Sequence, residues 1–313
     1  MVYNYYDFQP EHGELKLVAL LLHGHGDLSI GFRSTVPAFL AQGIRCIVPD
    51  LLGFGQSSKP VGVEAYRMRL MTSDMCEILA DARVAEDARV EPPQLIIVVI
   101  GHDWGSQLAS RLVLHHPNRF AACVSLAGPY IPPFPMKITL EQFILQNPNF
   151  SYWKFFTSVG CPLLLRRRLP VFWNAVIRTG DEPILSMAEL EDRVRAEHPP
   201  VEWQQRPGLW DQVTYDAYMI AYWRGGWEAP MNWYKAFLGN YEDELQFVGT
   251  KLNAPFLIVL GEKDPAVPLQ ATHGTENFLA NYEIVSLPCG HWVPQESGPA
   301  VAKTVVDWLA RIS

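Results

Sequence analysis

The sequence predicts an α/β fold: a mostly parallel sheet with helices on both faces and a helical cap inserted into it. Three observations carry this. Short apolar runs alternate with helical stretches over the first 128 residues, strand-like runs vanish between 129 and 245, and they resume afterwards. The runs "LKLVALLL", "IRCIVPD", "QLIIVVI" and "FAACVSL" have no polar face, as expected of strands buried on both sides in a parallel sheet. Between them, "VPAFLAQG" and "MTSDMCEILADARVAEDA" space apolar residues at helical intervals, and right-handed crossovers stack such helices on both sides. After "SLAGPYIPPFPM" the prolines crowd together. Seven of the ten tryptophans (Trp153, Trp173, Trp203, Trp210, Trp223, Trp227 and Trp233) fall in this stretch, amid amphipathic helical spacing. "APFLIVLG" and "YEIVSLP" restore the strand pattern, and "AVAKTVVDWLARI" closes the chain as a helix. The expected divisions are 1–128 and 246–313 for the two parts of the core and 129–245 for the cap.

At 313 residues, with 49% hydrophobic and 19% charged residues, the chain has the composition of a folded globular protein with a large core. Runs such as "LVALLL" and "LIIVVI" are far shorter than the roughly 18 residues of a bilayer crossing. "MVYNYYDFQPEHGELK" lacks the succession of a secretory signal, so a cytoplasmic location is expected. Five cysteines, odd in number and never in CxxC, suggest buried thiols rather than a disulfide frame or zinc knuckle. A net charge of −8 argues against nucleic acid, and the one basic cluster, Arg166 to Arg168, reads as a solvated face. Nothing in the sequence bears on oligomeric state.

The stretch "LLLHGHGDLS" raises two readings. His23, His25 and Asp27 match the start of an HxHxDH metal pattern. Alternatively, a strand ending in HG turns so sharply that the His25 N–H points into a cleft and stabilises negative charge. Further on, "LIIVVIGHDWGSQLASRLVLHHP" is a strand, an abrupt turn and a helix, and its GxDxG is the form of a nucleophile elbow with Asp103 in the nucleophile's place. Capping of the helix by Asp103 explains the same residue nearly as well. Asp264, after the strand "FLIVLG", and His291, after "YEIVSL", occupy loops past the carboxyl ends of parallel strands, where Asp103 also lies. The order nucleophile, acid, histidine at three strand ends is a specific signal for a catalytic triad.

These residues identify the chain as resembling the α/β-hydrolases, and among them the soluble epoxide hydrolases. The matching elements are "HGHGD" after the third strand, "PDLLGFGQSSKP", "GHDWGS", "GEKDPAVP" and "GHWVPQESG", in that order. The resemblance implies an oxyanion hole from the amides of His25 and Trp104, which favours the second reading of the opening stretch. Leu28 stands where HxHxDH needs its last histidine, so no metal and no cofactor are expected. Gly26 departs from the family's usual proline. The family's two cap tyrosines, one in YxxxF and one in NWY before a basic residue, correspond to Tyr152 with Phe156 and to Tyr234 in "MNWYKAF". The implied reaction is opening of an apolar epoxide by Asp103 and hydrolysis of the resulting ester by water. His291 would be the base and Asp264 its partner, with Tyr152 and Tyr234 donating to the ring oxygen and Tyr152, Tyr234 and Trp104 contacting substrate. A haloalkane dehalogenase, with the same aspartate nucleophile, is the alternative. A fluoroacetate dehalogenase is disfavoured because Trp104, Ser106 and Gln107 stand where arginines are expected. A non-catalytic binding protein is disfavoured by the intact triad.

Overall fold

Along Leu17–Leu22, successive side chains leave opposite faces of a strand, and both faces are covered. Val18, Leu20 and Leu22 join one apolar cluster, Ala19 and Leu21 another. The computed structural model describes residues 1–11, 17–84, 96–182, 185, 187–203 and 209–312. Its strands are β1 (Tyr5–Phe8), β2 (Leu17–Leu22), β3 (Ile44–Pro49), β4 (Ile96–His102), β5 (Ala122–Leu126), β6 (Phe256–Gly261) and β7 (Tyr282–Leu287). They lie in the order β1-β3-β2-β4-β5-β6-β7. Only β1 runs antiparallel, pairing Tyr5 with Pro49 and Phe8 with Cys46. "HGHGD" therefore follows the second strand of the described residues, not the third.

The sequence pattern misses β1, and the reason is physical. It is a short edge strand whose residues are largely exposed, so no apolar periodicity marks it. It is held by polar contacts instead: Asp7 takes a two-pronged pair from buried Arg45 (2.9 and 2.7 Å), and Tyr5 donates to Asp81 (2.6 Å). At the other edge β7 is only partly buried, unlike the strands between.

Helices α1 (Val36–Leu40), α2 (Met68–Asp81) and α3 (Trp104–His115) occupy the crossovers. Helix α2 begins at Met68 rather than Met71, and its expected extension over 85–88 lies outside the described residues. Between β5 and β6 the regular elements among the described residues are all helical. The α-helices there are α4 (Leu140–Gln146), α5 (Trp153–Phe156), α6 (Cys161–Arg167), α7 (Leu169–Val176), α8 (Met187–Arg195), α9 (Gln212–Gly225), α10 (Glu228–Phe237) and α11 (Tyr241–Glu244). The short α12 (Val293–Glu296) and the long α13 (Gly298–Ile312) follow β7. No described helix is long and apolar enough to cross a membrane.

The tryptophan-rich insertion shares the core's apolar cluster. Trp153, Trp173, Trp227 and Trp233 are buried in the same cluster as Leu20 and Trp104, and the Trp233 Nε1–H donates to Leu52 O (2.8 Å). Trp223, by contrast, lies on the surface beneath Arg166, 5.8 Å from its ring, so the basic run begins on an exposed helix face. Buried Arg111 on α3 meets buried Glu244 on α11 through two hydrogen bonds (2.8 and 3.0 Å). Arg111→Met leaves that carboxylate uncompensated and is expected to cost about 3–5 kcal/mol, read as a fall in the urea midpoint. Arg111→Met with Glu244→Leu should recover most of it, because the desolvated charge is then gone.

Candidate active site

The glycines around Asp103 report how tightly the chain folds there. A Cβ on Gly101 would lie 2.0 Å from Gly105 O, and one on Gly105 would lie 2.1 Å from Leu22 O, so side chains are excluded at both. Between them Asp103 is held at φ 52° and ψ −117°, a conformation costly for a residue with a side chain. Its backbone is over-determined: the Asp103 N–H donates to Leu126 O (3.0 Å), while Asp103 O accepts from the N–H (2.9 Å) and hydroxyl (2.6 Å) of Ser106. The turn thrusts the carboxylate past the end of β4 instead of letting it cap α3, and it makes no side-chain capping bond.

Asp264 and His291 come from the ends of β6 and β7, as their positions in the sequence predict. His291 Nδ1 meets Asp264 Oδ2 at 2.8 Å, and its Nε2 faces Asp103 Oδ2 at 3.7 Å, a charge contact longer than a hydrogen bond. The Asp264 Oδ1 accepts from the Ala266 and Val267 N–H groups (2.8 and 3.1 Å). Burial opposes ionisation of all three groups, yet their mutual attraction prevails. His291 is raised well above 6.5 by Asp264 and Asp103, Asp264 is lowered, and Asp103 is held down at about 2 by the imidazole, with the His25 N–H contributing. At rest the ring is an imidazolium between two carboxylates.

The histidine loop is fastened by residues that sequence reasoning did not single out. Glu296 accepts from the N–H groups of Gly290 (3.0 Å) and Trp292 (3.2 Å), on either side of His291, and from Gly180 of the helical insertion (2.8 Å). His102 donates its Nε2–H to His291 O (2.9 Å).

On the other side of Asp103, the His25 N–H donates to Oδ1 at 2.7 Å. That approach needs Gly24, where a Cβ would stand 2.5 Å from the Asp103 side chain. Gly26 has φ +75°, a value closed to proline, so this turn is not one that a proline could make. Trp104 opens α3, where a helix leaves its amides unpaired. The His25 ring is neutral, its pKa lowered to about 4 by burial. Of the three side chains that suggested a metal, two are engaged in hydrogen bonds, and the third, the His25 ring, packs among Phe54, Phe156, Trp227 and Tyr234. His23 accepts the Leu51 N–H at Nε2 (3.0 Å) and donates to Gly24 O (2.9 Å). Asp27 accepts from the Leu28 N–H (2.8 Å), Gln295 (2.8 Å) and the Tyr218 hydroxyl. Among the described residues no three or more His, Cys, Asp or Glu cluster as metal ligands.

Above the carboxylate lies a cavity of about 170 Å³ lined by His25, Asp103, Tyr152, Tyr234 and His291, with apolar walls that include Phe156, Phe172, Val176, Ile177 and Leu190. Both tyrosines expected from the sequence reach it. Tyr152 enters just before α5 and Tyr234 from α10, their rings 6.3 Å apart and edge to face. Tyr234 also stands edge-on to Trp104 (5.0 Å) and His25 (4.8 Å). Burial raises both phenols above 10, and the Asp103 charge raises them further, so both keep their protons. Of the inserted tryptophans, Trp173 lines this cavity.

The chain is similar to known proteins along most of its length. The chain is 28% identical to epoxide hydrolase srdG of Neurospora crassa, across 99% of this chain and 92% of that protein. It is 27% identical to epoxide hydrolase A of Mycobacterium tuberculosis, across 93% and 90%. It is likewise 27% identical to bifunctional epoxide hydrolase 2 of Rattus norvegicus, of which it spans about half the length (51%). In fold it superposes on an epoxide hydrolase from an endophytic Streptomyces with a TM-score of 0.79 at 22% identity, covering 99% of this chain and 92% of that one. The alpha/beta hydrolase fold family matches residues 20–297, and the chain belongs to it.

Proposed function

We propose that the chain is an epoxide hydrolase, turning an apolar epoxide and water into a vicinal diol through an ester of Asp103, beneath a cap formed by residues 129–245. The observation that carries this reading is the placement of two neutral tyrosines in the cavity that holds Asp103 and His291. Carboxylate attack on saturated carbon needs a leaving group, and an epoxide oxygen leaves well only if a proton meets it. Phenols that stay protonated at neutral pH supply that proton. The relatives named as epoxide hydrolases support the same reading.

The two half-reactions follow from the contacts. Oδ1 is already held by the His25 N–H, which leaves Oδ2 to attack a ring carbon. As the C–O bond of the ring breaks, its electron pair goes to the oxygen, which takes a proton from one tyrosine while the other donates a hydrogen bond. Alkylation removes the Asp103 charge, and with it part of what keeps His291 protonated. The ring can then pass its proton to the tyrosinate left by ring opening and accept one from water. Water adds to the ester carbonyl, whose oxyanion the His25 and Trp104 amides stabilise, and the diol leaves with one oxygen of Asp103. As the Cγ–Oδ2 bond breaks, the departing alkoxide takes the proton from the imidazolium, and the carboxylic acid left on Asp103 returns one to the ring, which restores the resting state. Five cysteines, buried and unpaired, are in keeping with a cytoplasmic setting.

The deciding experiment is one turnover of styrene oxide in heavy-oxygen water with enzyme in excess. The label is expected in the peptide carrying Asp103 and absent from the diol. Label appearing directly in the diol would end the ester mechanism. Halide release from alkyl halides in a parallel assay, with no diol from epoxides, would point instead to dehalogenation.

A further inference from the structure

Three backbone N–H groups converge on the carboxylate of Glu296, the last residue of α12. Gly290 and Gly180 donate to Oε2 (3.0 and 2.8 Å) and Trp292 donates to Oε1 (3.2 Å). Gly290 and Trp292 flank His291, so the chain enters and leaves that residue on bonds to one side chain. Gly180 belongs to the insertion and lies directly against the histidine loop. A Cβ on Gly180 would stand 2.7 Å from Gly290 N, and one on Gly290 would stand 2.9 Å from Gly180 N, so the two backbones meet with no room for a side chain between them. A second tie runs beside the first, from the Trp292 Nε1–H to Val176 O (3.1 Å). The insertion and the histidine loop are thus docked as one unit.

We infer that Glu296 is a positioning residue for ester hydrolysis: it holds the loop carrying His291 against the insertion and so sets where the imidazole stands over the ester. The inference rests on the epoxide reading above and adds to that mechanism a residue that touches none of the reacting atoms. Asp264 fixes the ring at Nδ1 (2.8 Å) and His102 fixes the His291 carbonyl (2.9 Å), while the amides on either side go to Glu296. Hydrolysis asks the imidazole to reach a water beside the Asp103 ester, and a misplacement of about 1 Å at such a group can cost about 10²-fold in rate. The first half-reaction makes no such demand on the loop. It draws on Asp103 at the end of β4 and on phenols from the start of α5 and from α10, elements apart from residues 290–292.

The test follows one turnover of styrene oxide by the full chain, with enzyme in saturating excess, in a rapid-quench series. Epoxide loss gives the rate of ester formation and diol appearance gives the rate of its hydrolysis; under these conditions both are first-order constants that do not depend on how much of a variant is folded. Glu296→Ala should slow diol appearance by about 10²-fold, with the ester accumulating on the protein, while epoxide loss changes by less than about threefold. Glu296→Gln keeps the shape and one oxygen to accept, so its hydrolysis should fall between the two, at about tenfold below wild type. The glutamine variant carries the same comparison if the alanine protein does not accumulate. Equal slowing of both steps, or diol appearance in both variants within about threefold of wild type, overturns the positioning role while diol formation by the wild type upholds the epoxide reading. If the wild type yields neither ester nor diol, the epoxide reading fails and the role of Glu296 falls with it.

Discussion

His291→Gln is expected to arrest the enzyme after a single chemical event, leaving Asp103 esterified. In the proposed mechanism, attack on the epoxide needs the Asp103 carboxylate and the phenols, none of which this change removes. Hydrolysis needs a base for water, and glutamine has no proton affinity to offer. Steady-state turnover should fall by about 10²–10⁴-fold, the usual worth of general base catalysis, while intact-protein mass rises by the mass of the substrate. The electrostatics add a signature. The imidazole is what holds Asp103 down at about 2 against burial, which pushes the other way. Without it the carboxylate titrates higher, so alkylation of the variant should weaken as the solution is acidified, over a range where the wild-type nucleophile stays ionised. The adduct is therefore sought at mildly alkaline pH. A variant that turns over normally, with no adduct at any time point, would remove His291 from the mechanism.

The convergence of Asp103, Asp264 and His291 was legible in the sequence because the three sit at strand ends marked by apolar runs, and because Asp103 lies between glycines that crowding demands. The parallel strands between the two edges were legible because burial on both faces leaves them largely apolar, while the partly buried β7 kept only a short apolar run. What escaped is what polar contacts build. Strand β1 has no apolar stripe; beside its ladder with β3, Arg45 and the Tyr5 hydroxyl hold it. Glu296 is one acid in a loop, and nothing in "GHWVPQESG" announces that its carboxylate gathers amides from both sides of His291 and from Gly180. The cap tyrosines lie between these cases. They are two of twelve tyrosines, their candidacy came from the family resemblance, and the fold brings both into the cavity with Asp103.

Removing both tyrosine hydroxyls is expected to have the largest effect on the first half-reaction. With Tyr152→Phe or Tyr234→Phe alone, the remaining phenol still donates to the ring oxygen, and alkylation should slow by about 10–10²-fold. With both changed, the alkoxide forms with no protein acid above it, and the loss should reach about 10⁴-fold, far more than either change alone and at least the product of the single losses. The coupling follows from the geometry: the rings are 6.3 Å apart in one cavity over one carboxylate, so each can cover partly for the other. Phenylalanine keeps the edge-to-face packing on Trp104 and His25, so the melting temperature should move little while rapid-quench measurement of ester formation moves greatly. The phenols also set a pH signature. Burial and the Asp103 charge raise both above 10, so wild-type ring opening should not lose its acid through neutral pH and should fail only in strong alkali. A double variant that alkylates at the wild-type rate would show that the leaving oxygen needs no acid from these residues. The case for an epoxide over a halide would then lose its main support.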